Sequence, residues 1–217
     1  MRLYGFWRSL ATYRVRIALR LKDIPFEEIS VDLLAGEQFR SDYDAINPEH
    51  VVPTLIDGDR RLFQSMAILE WLEERHPEPP LLPGDPDERA YARALALVTV
   101  ADTHPLTVPR VRRHLAEALS LDAAGVEAWG AHFIAEGLKT YEKLFDRRPP
   151  APYALGAQLT VADIAVAGHA AGAGYFKVDV GDYPRFAALL DEVMAIPAFA
   201  LSHPLRQPGA PQAAVAE

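Results

Sequence analysis

Eleven residues, His76-Pro77-Glu78-Pro79-Pro80-Leu81-Leu82-Pro83-Gly84-Asp85-Pro86, carry five prolines and divide the chain. Proline has no backbone N–H and resists helix, so neither a strand ladder nor a helix runs through such a stretch. Residues 1–76 and 87–203 are therefore expected as two domains, joined by a linker over 77–86 and followed by a tail over 204–217. The two sides differ in period. Before the prolines, Arg2 to Phe6, Pro25 to Val31, Val51 to Ile56 and Arg61 to Phe63 read as strands, the last two joined by an Asp57-Gly58 turn. Between them, Val15, Ala18, Leu19 and the stem of Lys22 recur at helical spacing. Leu33 to Asn47 reads as a short or irregular helix, and a helix from Ser65 puts Ile68, Trp71 and Leu72 on one face. The order is β-α-β-α-β-β-α, a small α/β unit.

After the prolines no convincing strand appears, and the pattern predicts an all-α unit. A long helix is expected over 87–119, with Ala94, Leu97, Val98 and Ala101 on one face and a disturbance at Pro105. A second spans 122–146, and others cover Val161 to Gly174 and Asp182 to Ala195. Thr160-Val161-Ala162-Asp163 has capping-box spacing, flanked by Leu159 and Ile164 at the staple positions. The helix it opens is apolar almost all round apart from Asp163 and His169, which suits the middle of a bundle. The Pro- and Ala-rich stretch after Ser202 is expected as coil.

Composition excludes several functions. Basic residues number 22 against 30 acidic ones and are scattered among them, so a nucleic-acid partner is not expected. No 18-residue apolar run and no leader-like start are present, which predicts no membrane span and a cytoplasmic protein. The chain has no cysteine, so disulfides, cysteine-bound zinc and a cysteine nucleophile are out, and any thiol chemistry must use a thiol brought by a ligand. The histidines show no metal-binding spacing, and no metal is expected.

Three local features could carry chemistry. The first strand ends in Phe6-Trp7-Arg8-Ser9-Leu10-Ala11-Thr12, a polar turn into a helix N-terminus. Unpaired N–H groups and hydroxyls there can hold an anion, although Ser9 or Thr12 could equally be a plain helix cap. Pro53 sits at the start of a core strand, where a cis bond would leave neighbouring backbone groups facing a ligand. Gln64-Ser65 opens the next helix, a ready carboxylate site.

Together with Arg14-Val15-Arg16-Ile17-Ala18-Leu19, Asn47-Pro48, Val52-Pro53-Thr54-Leu55, Ala67-Ile68, Leu81-Leu82-Pro83, the Thr160-to-Asp163 box, Phe176-Lys177-Val178-Asp179, Ser202-His203-Pro204 and Arg206-Gln207-Pro208, these motifs resemble the glutathione transferases, most of all the zeta class with its maleylacetoacetate and maleylpyruvate isomerases. The resemblance implies a thioredoxin-like glutathione-binding domain followed by a helical bundle that forms the other wall of the substrate pocket. It implies that Ser9 donates to the glutathione sulfur, with Thr12 on the same turn as a rival. Val52, before a cis Pro53, would pair its backbone with the cysteinyl part, and Gln64 and Ser65 would hold the γ-glutamyl carboxylate. His104, in a His-Pro pair that related isomerases share, would lie at the cofactor and substrate. Arg8 would bind a substrate carboxylate, with His104 or Arg110 as a second contact. Two departures stand out: the family's Ser-Ser-Cys-Ser turn is Ser9-Leu10-Ala11-Thr12 here, and the arginine expected before Phe176 is Tyr175. The expected activity is glutathione-dependent cis–trans isomerisation of a maleyl-type dicarboxylate by a homodimer. The alternatives are a transferase or dehalogenase that consumes glutathione, and a non-catalytic binding module.

Overall fold

The computed structural model describes residues 1–211 of the 217. Strands β1 (Arg2–Gly5), β2 (Glu27–Ser30), β3 (Thr54–Asp57) and β4 (Arg60–Phe63) form one sheet in the order β2-β1-β3-β4. β2 runs parallel to β1, whereas β3 and β4 are antiparallel to their neighbours. A parallel pair needs a crossover, supplied here by helix α1 (Leu10–Leu21). A four-residue helix α2 (Ser41–Asp44) precedes β3, and α3 (Ser65–Arg75) follows β4. The α/β order expected from the sequence is present.

α1 is buried on nearly every side: Tyr13, Val15, Ile17, Ala18 and Leu19 have no exposed surface. It approaches β1 so closely that a Cβ on Gly5 would lie 2.5 Å from the Thr12 methyl. The expected linker is fastened rather than loose. Lys22 Nζ pairs with Glu73 at 2.8 Å and donates to the carbonyls of His76 and Pro79. Glu73 in turn accepts the N–H groups of Leu81 and Leu82, whose side chains enter the core.

Beyond the linker run α4 (Pro86–Leu97), α5 (Pro109–Ala118), α6 (Ala123–Phe145), α7 (Val161–Tyr175), α8 (Pro184–Met194) and α9 (Pro197–Ser202). The single helix expected over 87–119 is broken. A π-helical stretch (Val98–Thr103) and a 3₁₀ turn (His104–Leu106) separate α4 from α5, because Pro105 and Pro109 both lack the N–H a continuing helix would use. Of the expected stripe, Ala94, Leu97 and Ala101 face outward while Val98 packs against the core, and the buried residues here are Ala92, Leu95, Ala96, Thr99 and Thr103. The expected coil after Ser202 is likewise corrected: Pro204–Arg206 forms a 3₁₀ turn, and buried Gln207 donates to the carbonyls of Leu201 and His203. Residues 212–217 of that tail lie outside the described residues.

α7 packs against both α1 and α4 and is the central helix. Its capping box forms as expected. Asp163 accepts the N–H groups of Ala154 and Thr160, each at 2.7 Å, and the Thr160 hydroxyl. Burial pushes the Asp163 carboxyl up to about 6. Asp163→Ala leaves two buried amides without acceptors, so it should cost about 2–4 kcal/mol of stability at neutral pH. Urea unfolding measures this, and a loss under ~1 kcal/mol would show that the cap does not anchor α7.

Candidate active site

The turn after β1 places Ser9 at the N-cap of α1, where its Oγ accepts the Thr12 N–H at 3.1 Å. That bond uses an oxygen lone pair and leaves the hydroxyl proton free for an anion beside the helix N-terminus. Thr12 lies elsewhere. It is fully buried against β1, away from the cavity that Ser9 lines, and its hydroxyl has no partner among the described residues. The two hydroxyls look equivalent in sequence, but Thr12 packs against Gly5 of β1 while Ser9 lies on the cavity.

The Val52–Pro53 bond is cis. The Val51 carbonyl before it is tied down by Tyr43 Oη at 2.6 Å and Asn47 Nδ2 at 3.0 Å. Val52 itself makes no backbone hydrogen bond among the described residues, so its N–H and C=O remain available to an extended ligand. At the start of α3, Gln64 has φ 67°, a region that costs a non-glycine residue about 1–3 kcal/mol. Its side chain donates to both Glu49 oxygens at 3.0 Å.

Ser65 is almost fully buried, and its Oγ accepts two hydrogen bonds from Arg14, from Nε at 3.1 Å and Nη2 at 3.0 Å. Because Arg14 can only donate, the Ser65 proton is left free for an acceptor brought into the cavity. Arg14 is 1 % exposed, and burial holds its guanidinium down at about 10. The sequence offered Arg14 only as part of a family motif; a basic residue inside an otherwise buried helix was the available signal.

These groups line a cavity of about 650 Å³ whose other wall is His104, Arg110 and Arg112 with Tyr175 and Phe176. Arg8, Ser9, Val52, Pro53, Gln64, Ser65, His104, Arg110 and Tyr175 all meet there, and of the residues anticipated only Thr12 is absent. The Arg8 guanidinium stacks 4.7 Å from the centre of the Tyr175 ring. Burial, with lesser contributions from Arg14, His169 and Arg110, pushes His104 down to about 3. It is neutral at physiological pH, so it can offer a ring N–H to the cavity but no charge. Among the described residues none of Arg8, Arg110, Arg112 and Arg113, all on this cavity, forms an ion pair.

Residues 1–74 match the family model described as glutathione S-transferase, N-terminal domain. The chain is 38 % identical over 209 residues to a maleylpyruvate isomerase of a Ralstonia species, covering 96 % of this chain and 99 % of that one. It is 36 % identical to the maleylacetoacetate isomerase of Rattus norvegicus, with 96 % and 94 % covered. A crystal structure of maleylacetoacetate isomerase from Methylobacterium extorquens AM1, with bound malonate and glutathione, superposes with a TM-score of 0.95 at 45 % identity, over 97 % of this chain and 100 % of that one. The holo structure of a zeta-class maleylpyruvate isomerase gives 0.94 at 38 % identity, with the same coverage.

The neutral histidines make stability depend on pH. Burial holds His104 at about 3 and His169 at about 4, against 6.5 for a free imidazole. Below pH ~6.5 the unfolded chain takes up protons that the folded chain refuses, so stability falls as pH drops through that window. Lowering pH from 7.5 to 5.5 should cost about 1 kcal/mol per histidine, and His104→Gln should remove its share. Urea unfolding of both proteins at both pH values checks this; an unchanged pH dependence in the variant would refute it.

Proposed function

The chain belongs to the zeta class of the glutathione transferases, and from that premise we propose that it is a glutathione-dependent cis–trans isomerase of a maleyl-type dicarboxylate. The observation that carries the reading is one cavity lined by two unlike sets of groups: a hydroxyl, a helix N-terminus and an unpaired peptide group, and guanidiniums without carboxylate partners. The first set fits glutathione. Val52 offers its backbone to the cysteinyl part, Ser65 and the start of α3 hold the γ-glutamyl carboxylate, and Arg14 orients the Ser65 hydroxyl for it. On this reading residues 1–76 carry glutathione and 87–203 supply the substrate wall.

Bound there, glutathione supplies a thiolate that adds to the conjugated double bond, allows rotation about the resulting single bond and is expelled again unconsumed. Ser9 lowers the pKa of that thiol, ~8.5 when free, by donating to the anion alongside the helix dipole. Arg8, adjoining Ser9 and held on Tyr175, binds a substrate carboxylate and stabilises the negative charge that develops on the substrate. His104, being neutral, adds an N–H donor.

Product formed in excess of the glutathione supplied, with the thiol titre unchanged, is the expected result on maleylpyruvate or maleylacetoacetate. Ser9→Ala should lower turnover at least ~10-fold, the low side of what one oxyanion-type donor is worth. Glutathione lost in step with product would replace this reading by a transferase or dehalogenase, the outcome that Tyr175 in place of the family's arginine would favour. No binding of glutathione in a titration would leave a non-catalytic module.

The same reading includes a cytoplasmic homodimer with no nucleic-acid partner. Phe63 on edge strand β4 and the outward stripe of Ala94, Leu97 and Ala101 on α4 and the π-helical stretch are uncovered apolar surface that a second copy would bury. Small-angle scattering should give about twice the 24.0 kDa of the chain, and a monomer mass would overturn the assembly.

A further inference from the structure

α5 brings three arginines to the substrate wall, Arg110, Arg112 and Arg113. Arg110 and Arg113 are exposed, and Arg113 lies over Phe39, 5.7 Å from the ring centre. Arg112 differs from both. It is half-buried, its Nε is sealed from solvent, and that N–H has no acceptor among the described residues. A buried charged donor without a partner is unfavourable unless something else supplies the acceptor. Glu127 is close enough to act on Arg112, yet it pairs with Lys177 at 2.7 Å instead.

The guanidinium of Arg112 lies 5.6 Å from the centre of the Phe176 ring, as that of Arg8 lies over Tyr175. Two cations are thus mounted on consecutive aromatic residues at the end of α7. Phe176 is a firm mount: its ring occupies the space a side chain at position 130 would need, 2.0 Å from where a Cβ on Gly130 would stand. Burial, together with the nearby charge of Arg8, holds the Arg112 guanidinium below its ordinary value, and Glu127 offsets this only in part. Two like charges kept close with no carboxylate paired to either are stabilised by an anion that each can hold.

We propose that Arg112 binds the second carboxylate of a dianionic substrate, with Arg8 on the first, so that the pair selects dicarboxylates over monocarboxylates. The proposal rests on the isomerase reading for the identity of the substrate, but the carboxylate subsite is defined by the arginines alone. Arg112 lines the cavity, so its guanidinium would hold that carboxylate through the Nη groups, and its charge would gain the partner that Glu127 gives to Lys177 instead.

The test compares wild type, Arg112→Leu and Arg112→Lys by calorimetric binding of succinate, an unreactive four-carbon dianion, with and without saturating glutathione. Kinetics on a maleyl dicarboxylate and on its monoester follow. Succinate should bind at least 10-fold more weakly to Arg112→Leu, with partial recovery in Arg112→Lys and glutathione affinity within twofold of wild type. The dicarboxylate should lose kcat/KM mainly through KM, while the monoester changes less than threefold. Equal succinate affinity in wild type and Arg112→Leu, no succinate binding to wild type, or equal losses on dicarboxylate and monoester would each overturn the proposal. If Arg112→Leu also loses glutathione binding, a sign of misfolding, Arg112→Lys decides by the same comparison. Succinate bound through Arg112 by a protein that isomerises no maleyl compound would retain the subsite and reject the isomerase reading.

Discussion

The guanidinium of Arg14 holds the site together. It leaves α1, reaches the first residue of α3 through two hydrogen bonds to Ser65, and lies beside Gly168 of α7. Three helices are therefore registered by one side chain with essentially no contact with water. Its Nη1 has no hydrogen-bond partner among the described residues, and its ionisation is already weakened by burial. A positive charge in that position is costly by itself, and an anion in the adjoining cavity offsets the cost. Architecture and ligand preference are in this way the same electrostatic fact.

Elsewhere the chain neutralises its buried charges. Arg16 is paired with Glu28, and Lys22 with Glu73, and each also donates to a backbone carbonyl. On the surface, Arg93 pairs with Glu70 and Arg148 with Glu88. A chain with formal net charge −8 has carboxylates to spare, yet Arg8, Arg110, Arg112 and Arg113 have none, and Glu49, the carboxylate on their cavity, is engaged by Gln64. Local charge opposite in sign to the whole is what a site for anions requires.

Most of the architecture was legible because it rests on local rules. The strand–turn–helix at Ser9, the Asp57-Gly58 turn, the proline stretch and the capping box at Thr160 each follow from a few adjacent residues. What was not legible depended on direction. The stripe at Ala94, Leu97 and Ala101 has helical spacing, but spacing alone does not say which side faces the core. Ser9 and Thr12 share a turn, and only the close approach of α1 to β1 at Gly5 separates the exposed hydroxyl from the buried one. Long-range partners were equally invisible: Arg14 meets Ser65 across 51 residues, and Arg8 meets Tyr175 across the whole helical part. Tyr175 marks a lost arginine in sequence, but in space it is a platform for another one.

The charge balance explains why one hydroxyl would not be enough at the proposed site. A thiolate brought near a substrate carboxylate meets a repulsion of about 4 kcal/mol at 4 Å for an effective dielectric near 20. A hydrogen bond to a charged group returns about 1.5–3 kcal/mol, so Ser9 alone would leave the sulfur better off protonated whenever a dianion is present. His104, kept neutral by its environment, can add an N–H but no countercharge. The countercharge comes from the guanidiniums, and Arg8 adjoins Ser9 in the chain while its stacking on Tyr175 places it on the substrate wall. On the proposed reading Arg8 both recognises the substrate and allows the nucleophile to stay ionised beside it, which ties recognition and reactivity to the turn before α1 and the end of α7.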